Sequence, residues 1–249
     1  MCKRTIYFIF IFISFNLSYS QELDSSNSLQ MVTDYRCNIN KDIKYDKERA
    51  YLFFTKGRQL IIDNQNNPFS KEFASGLECV TESVHIDTKN ARYKAFLGDI
   101  YNILYLYDMP EANDLALNFY DEALDMDSSM DDIAIKAAIL AIRSSLYKES
   151  LDYFEYALLK SEMHYKAEIL DWMNIAYISI PQIQRGEEFY SKLLLKHPEA
   201  DILRIYKAIL MKERMAKKEA GDELLDIISN SKSNPKTVEL AYKLLGEMR

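Results

Sequence analysis

Three histidines, His85, His164 and His197, and three cysteines, Cys2, Cys37 and Cys79, are the residues of this 249-residue chain with the most evident nucleophilic or metal-binding chemistry. None stands in a pattern that performs it. There is no H-E-x-x-H, no C-x-x-C and no Cys/His cluster at metal-ligand spacing, the arrangements in which local backbone geometry alone brings donors together. A G-x-S-x-G elbow, a phosphate-cradling loop and a G-x-G-x-x-G fingerprint are absent as well. His197, followed by Pro198, reads as a helix C-terminal residue, where the helix dipole favours it. Asp125, Asp127, Ser129, Asp131 and Asp132 place oxygens as in a calcium loop, but the sixth and twelfth places, which need Gly and Glu, hold Met130 and Lys136. The segment therefore reads as a helix junction in which Asp127 ends one helix and Ser129 or Asp131 caps the next. No residue is assigned a catalytic, metal-binding or cofactor role, and the chain is not read as an enzyme. An enzyme whose site is assembled from distant residues stays as an alternative.

Charge is distributed unevenly. Between Ala95 and Ile135 there is no Lys, Arg or His, while Asp99, Asp108, Glu111, Asp114, Asp121, Glu122, Asp125, Asp127, Asp131 and Asp132 all fall there. Near the other end, Arg204, Lys207, Lys212, Arg214, Lys217 and Lys218 form a basic stretch. Such runs read first as solvated faces, and second as fields that could drive head-to-tail contacts between copies. The net charge of −7 excludes generic nucleic-acid binding.

The N-terminus has its own composition. Lys3 and Arg4 precede the apolar run from Ile6 to Ile13, continued by Phe15 and Leu17, and Ser18 and Ser20 stand three and one before Gln21. This is the layout of a secretory signal peptide over residues 1–20, cut after Ser20, with an apolar stretch short for a membrane span. An uncleaved N-terminal anchor is the competing reading. No lipobox precedes Cys2, so no lipid anchor is expected. Export predicts a periplasmic or secreted protein with no stable membrane insertion after cleavage. It also leaves Cys37 and Cys79 in an oxidising compartment, where they either pair or remain as thiols with Cys79 packed on a helix.

The elements that must position everything else are helices. With 6 Gly and 5 Pro in the whole chain, tight turns are few. Residues 21–45 are polar and aperiodic and read as a leader. From about Asp46 to the end, apolar residues recur at helical spacing, broken at Asn66-Asn67-Pro68, Met109-Pro110, Ser128-Ser129, Ile180-Pro181, His197-Pro198 and Asn234-Pro235. Ala116, Tyr120 and Ala123 place small, aromatic and small residues at i, i+4 and i+7, on one helix face. The triad recurs as Ser150, Phe154, Ala157, then Gly186, Tyr190, Leu193, and more loosely Ala220, Leu224, Ile227. The steps from Ala123 to Ala157, to Leu193 and to Ile227 are nearly equal, the middle one slightly the longest. A period that constant, with two helices in each, marks a repeat architecture.

On these residues the chain resembles the tetratricopeptide repeat family. Leu97, Gly98 and Tyr101 follow Tyr93 as in the first helix of that repeat, later copies are degenerate, and Pro198 matches the proline that closes a repeat. The resemblance implies an all-α, right-handed superhelical solenoid of antiparallel helix pairs over residues 46–234, with the best copies at 91–230 and a capping helix over 235–249. Gly98 to Ala116 is six residues longer than the family's spacing, which predicts an extended hairpin loop around Leu106 to Asn113.

In this family the first helix of each pair lines a concave groove. Carried over by position, Ile135, Ile139 and Ile142, then Asp171, Ile175 and Ile178, then Ile205 and Ile209, are the expected groove residues: an isoleucine ladder edged by acids. Lys, Arg and Asn at such places would mark a carboxylate clamp; with Lys212 of the last copy the one such residue, a clamp is not expected. The expected function is an exported protein–protein interaction scaffold that binds a peptide or amphipathic helix in an apolar groove, in envelope assembly or transport, without a cofactor. The alternatives are a ladder already covered within the molecule and a self-associating structural module of the cell envelope.

Overall fold

The computed structural model describes residues 47–230 and 233–248. These lie within one compact unit that spans residues 37–249. The signal segment, the leader and Cys37 fall outside the described residues, and so their readings are not addressed by it.

Among the described residues there are eleven α-helices and one turn of 3-10 helix, and no strand. They run as pairs: α1 (Lys47–Asn64) with α2 (Lys71–Ile86), α3 (Ala91–Leu106) with α4 (Ala112–Met126), α5 (Asp131–Arg143) with α6 (Tyr147–Lys160), α7 (Ala167–Ser179) with α8 (Ile183–Lys196), and α9 (Asp201–Glu213) with α10 (Lys217–Ser229). α11 (Pro235–Glu247) follows and packs against α10 and α9. The result is an all-helical solenoid in which each pair buries its apolar face against its neighbours, because no single pair has enough apolar surface to form a core alone.

The repeating triad is the seam of this stack. Ala116, Tyr120 and Ala123, and their counterparts through Ile227, are all buried on the second helices of the pairs. The small residues let backbones approach and the aromatic fills the space between. A Cβ added at Gly98 of α3 would fall 2.6 Å from the Tyr120 ring of α4, so that ring occupies the volume a side chain would need. In the first pair the contact is with backbone: a Cβ at Gly57 would lie 2.7 Å from the Gly76 carbonyl oxygen, placing α1 and α2 backbone to backbone.

Turns within the pairs repeat too. Amide donations from Met109 to Leu104 O, Leu146 to Ala141 O, Gln182 to Tyr177 O and Ala216 to Met211 O each close a ring of the same size at the end of a first helix. This satisfies carbonyls that the helix end would otherwise orphan. Three of these turns pass through a left-handed residue, Asp108, Ser145 and Met215, with φ of 63°, 61° and 69° and no glycine. Side-chain caps are rarer. Ser70 accepts from the Phe73 amide, and Asn234, with Pro235 behind it, accepts from the Lys236 amide.

Two details differ from the sequence expectation. The six extra residues between Gly98 and Ala116 do not make an extended loop. α3 has 16 residues against 13 in α5, α4 has 15 against 14 in α6, and the turn 107–111 is only two residues longer than 144–146. Added helical turns satisfy their own backbone groups, whereas a longer loop would have to find partners for them. At the 127–131 junction, neither Ser129 nor Asp131 caps α5. Asp127 instead accepts from the Ser129 amide (3.0 Å) and hydroxyl (2.6 Å), and Met130 stands at the cap position without a side-chain bond.

Candidate functional site

The expected groove residues divide by burial. Ile135, Ile142 and Ile205 are 3%, 6% and 0% exposed and sit in the core formed by α5 to α11. Ile139 and Ile209 are half-buried against the same core. Only Ile175 and Ile178, at 45% and 39%, and the acid Asp171 reach solvent from α7. Neighbouring first helices pack side by side, α7 between α5 and α9. Residues at the edges of the nominal groove face are therefore consumed by that packing, and the middle of α7 is what it leaves open.

α7 is the most apolar of the described helices, with Glu168, Asp171 and Ser179 as its exposed polar residues. Ile169, Leu170, Met173, Ala176 and Tyr177 face the core, while Ile175 and Ile178 face outward, three positions apart and so on one line of the helix. A helix of this kind is normally buried on both sides. Its one polar core residue is satisfied: buried Asn174 donates to Tyr206 O (3.0 Å) and accepts from the Tyr190 hydroxyl (2.8 Å), joining α7, α8 and α9. α7 is thus fixed from behind by packing and hydrogen bonds, and its outward stripe is presented on a rigid support.

Tyrosines tie the acids of the chain into this frame. Tyr120 donates to Asp99 (2.9 Å), Tyr153 to Asp121 (2.6 Å), Tyr177 to Glu155 (2.8 Å) and Tyr206 to Asp171 (2.8 Å). Burial, and then the facing carboxylate, push each of these phenols above its ordinary value, and burial pushes Tyr190 up likewise. They remain neutral donors at physiological pH and serve as struts; none is poised to act as a base or nucleophile. Of the acidic run, Asp99 also pairs with Lys136 (2.8 Å), Glu122 with Lys94 and Asp131 with His164 (3.0 Å). Of the basic stretch, Lys207 pairs with Glu223 (3.2 Å), Lys212 with Glu247 (3.2 Å), and Arg214 with Glu187 (2.7 Å). Within the chain, then, two of the ten acids of the first run face a lysine and a third faces His164, while four of the six cations of the second face a carboxylate.

An open groove of about 650 Å³ between α8 and α9 includes Glu187, Lys192, Leu195, Lys207 and Arg214 in its lining. Its two paired cations, Lys207 and Arg214, are directed at carboxylates rather than at a common point.

Sequence spacing missed the way the histidines converge. His164 Nε2 lies 3.0 Å from Asp131 Oδ2, and His197 Nδ1 lies 3.1 Å from Glu162 Oε1 and 3.9 Å from Glu199 Oε1. Asp131, His164 and His197 follow one another at equal steps close to one repeat, so the signal was the repeat period itself. Cys79 of α2 is fully buried and disulfide-bonded. No described helix is long and apolar enough to cross a membrane.

No protein-family model matches the chain, and no curated protein matches it. Solved structures do. "MamA RS-1 ArsTM double mutant" is 15% identical, with 79% of this chain and 97% of that one covered at a TM-score of 0.50. "MamA 41-end from Desulfovibrio magneticus RS-1" is 14% identical over 79% and 97%, TM-score 0.48. "YrrB: a TPR protein with an unusual peptide-binding site" is 18% identical over 69% and 87%, TM-score 0.41. At these identities the likeness concerns fold alone. It agrees with the helix pairs, the buried triads and the repeated turns that this chain has a tetratricopeptide-like fold.

Proposed function

We propose that the chain is an exported protein–protein interaction scaffold that receives an amphipathic helix or apolar peptide on α7, in envelope assembly or transport. The observation that carries this is the outward pair Ile175 and Ile178, with Glu168 and Asp171 exposed at its edge, on the outer face of α7. An apolar stripe on a rigid helix flanked by two others is the geometry that accepts a partner's apolar face. Tyr206 holds Asp171 in place at the edge, where the carboxylate can meet a cation or amide of the bound segment.

The test is the double substitution Ile175→Asp with Ile178→Asp. Both side chains are substantially exposed, so helicity and thermal unfolding are expected to stay near wild type. Each lost apolar anchor should cost about 2 kcal/mol of binding, several hundredfold together. Affinity capture from the producing cell with wild type and variant side by side checks it. Proteins retained by the first and lost by the second support the site, and identical captured sets end the proposal.

Export is supported by the basic-then-apolar N-terminus and by a disulfide at Cys79, a bond that persists in oxidising compartments. We assign Cys37 as its partner, since cleavage after Ser20 removes Cys2. N-terminal sequencing of the chain recovered from its producing cell is then expected to start at Gln21; a start at Met1 or Cys2 would overturn cleavage.

A further inference from the structure

We infer that His197 Nδ1 and the carboxylates of Glu162 and Glu199 bind a first-row divalent cation of the zinc type. The three donor atoms lie within 4.8 Å of one another, with His197 Nδ1 3.1 Å from Glu162 and 3.9 Å from Glu199. Donors bound to a tetrahedral zinc at its usual bond lengths are about 3.4 Å apart, so the trio needs only small side-chain adjustments to share one ion. One imidazole and two carboxylates form a mixed nitrogen and oxygen set that suits such an ion and leaves a position for water.

The trio is assembled by a break in the repeat. The junction between α6 and α7, residues 161–166, is two residues longer than the junctions at 127–130 and 197–200. That excess accounts for the longer step from Ala157 to Leu193 in an otherwise regular period. The longer junction holds the 3-10 turn Glu162–His164, which places Glu162 beside the next junction, where His197 and Glu199 stand. His197 is fixed twice: its amide donates to Leu193 O at the end of α8, and its ring meets Tyr165 edge-on at 5.7 Å. Its side chain is 23% exposed, while Glu162 and Glu199 are 63% and 74% exposed. Among the described residues neither carboxylate is in an ion pair with a lysine or arginine. Two negative charges thus converge on a single imidazole, and a divalent cation balances them where the histidine alone does not.

The molecule supplies its own control. One repeat earlier, His164 meets Asp131 in the same kind of junction-to-junction contact, but among the described residues no third donor joins them. If these histidines only stitch neighbouring junctions, both pairs should respond to metal alike. If the trio is a site, only the second should.

Zinc titration of the purified chain, without a polyhistidine tag or reductant, decides between these. Calorimetry is expected to give one Zn²⁺ per chain, and a hundredfold excess over Kd should raise the Tm by about 5–10 °C. Glu199→Gln, a change at a largely exposed side chain that leaves the fold intact, should weaken binding at least tenfold. His197→Gln should abolish it and His164→Gln should leave it unchanged. The inference is overturned if wild type shows no saturable 1:1 binding, if Glu199→Gln and His197→Gln bind as wild type does, or if His164→Gln removes binding equally.

Discussion

Replacing Tyr190 with alanine is expected to cost about 5 kcal/mol of stability. Tyr190 is completely buried at the centre of the α7 to α9 core, so deletion of its ring removes the apolar surface that α7, α8 and α9 share and leaves a cavity that rigid helices cannot close. Removing a large buried aromatic costs about 3–5 kcal/mol on those grounds. The hydroxyl adds a second loss: without it the Asn174 carbonyl oxygen has no donor in a buried position, worth about 1–3 kcal/mol. Tyr190→Phe isolates the second part, because the ring stays and only the hydrogen bond goes. A cycle with Asn174→Ala should show strong coupling, since both residues serve one bond. Contacts in a solenoid reach only nearest neighbours, so the damage should be local. Hydrogen exchange in Tyr190→Ala should accelerate across α7 to α9 and leave α1 to α4 nearly as protected as before. Urea unfolding followed by circular dichroism measures the total, and a loss no larger than that of Tyr190→Phe would contradict the assignment of this ring to the core.

Breaking the disulfide of Cys79 is the other large effect. With Cys37 as partner, the bond closes a loop of roughly 40 residues, for which the chain-entropy model gives about 4 kcal/mol of stabilisation, trimmed by any native strain. For a chain of this size that corresponds to a Tm lower by about 10 °C in reductant. Cys37→Ala is the cleaner variant, because changing Cys79 also alters a fully buried core position beside Phe73 and Val80. Cys37→Ala should lose as much as wild type loses on reduction and then be insensitive to reductant. Cys2→Ala should change nothing. A neutral Cys37→Ala would refute the pairing.

The core triads were legible in the sequence because their cause is local. The α-helix repeats its direction every three to four positions, so Ser150, Phe154 and Ala157 must share a face whatever surrounds them. Stacking identical units then requires the same face in each repeat. The nominal groove was less legible. Ile135, Ile142, Ile175 and Ile178 are alike in type and in place within the repeat, and only the lateral distance between first helices determines which of them is covered. The pairing of charges across repeats was illegible for a related reason. The whole of α9 separates Arg214 from Glu187 along the chain, yet their side chains meet at 2.7 Å, so counting like charges in sequence could not show that they cancel.

Taken by itself, the amino-acid sequence determined helix pairs, their period and the identity of the seam, because periodicity and the small–aromatic–small spacing act over one or two turns. Tertiary structure decided what those helices offer. It buried three isoleucines of the ladder, half-buried two and left two on α7 outside, absorbed an insertion largely as helix, paired some of the clustered charges across repeats, and brought Glu162, His197 and Glu199 together through a lengthened junction. Each of these depends on distances between helices that only packing sets, and side-chain volume and backbone satisfaction, rather than local propensity, control packing.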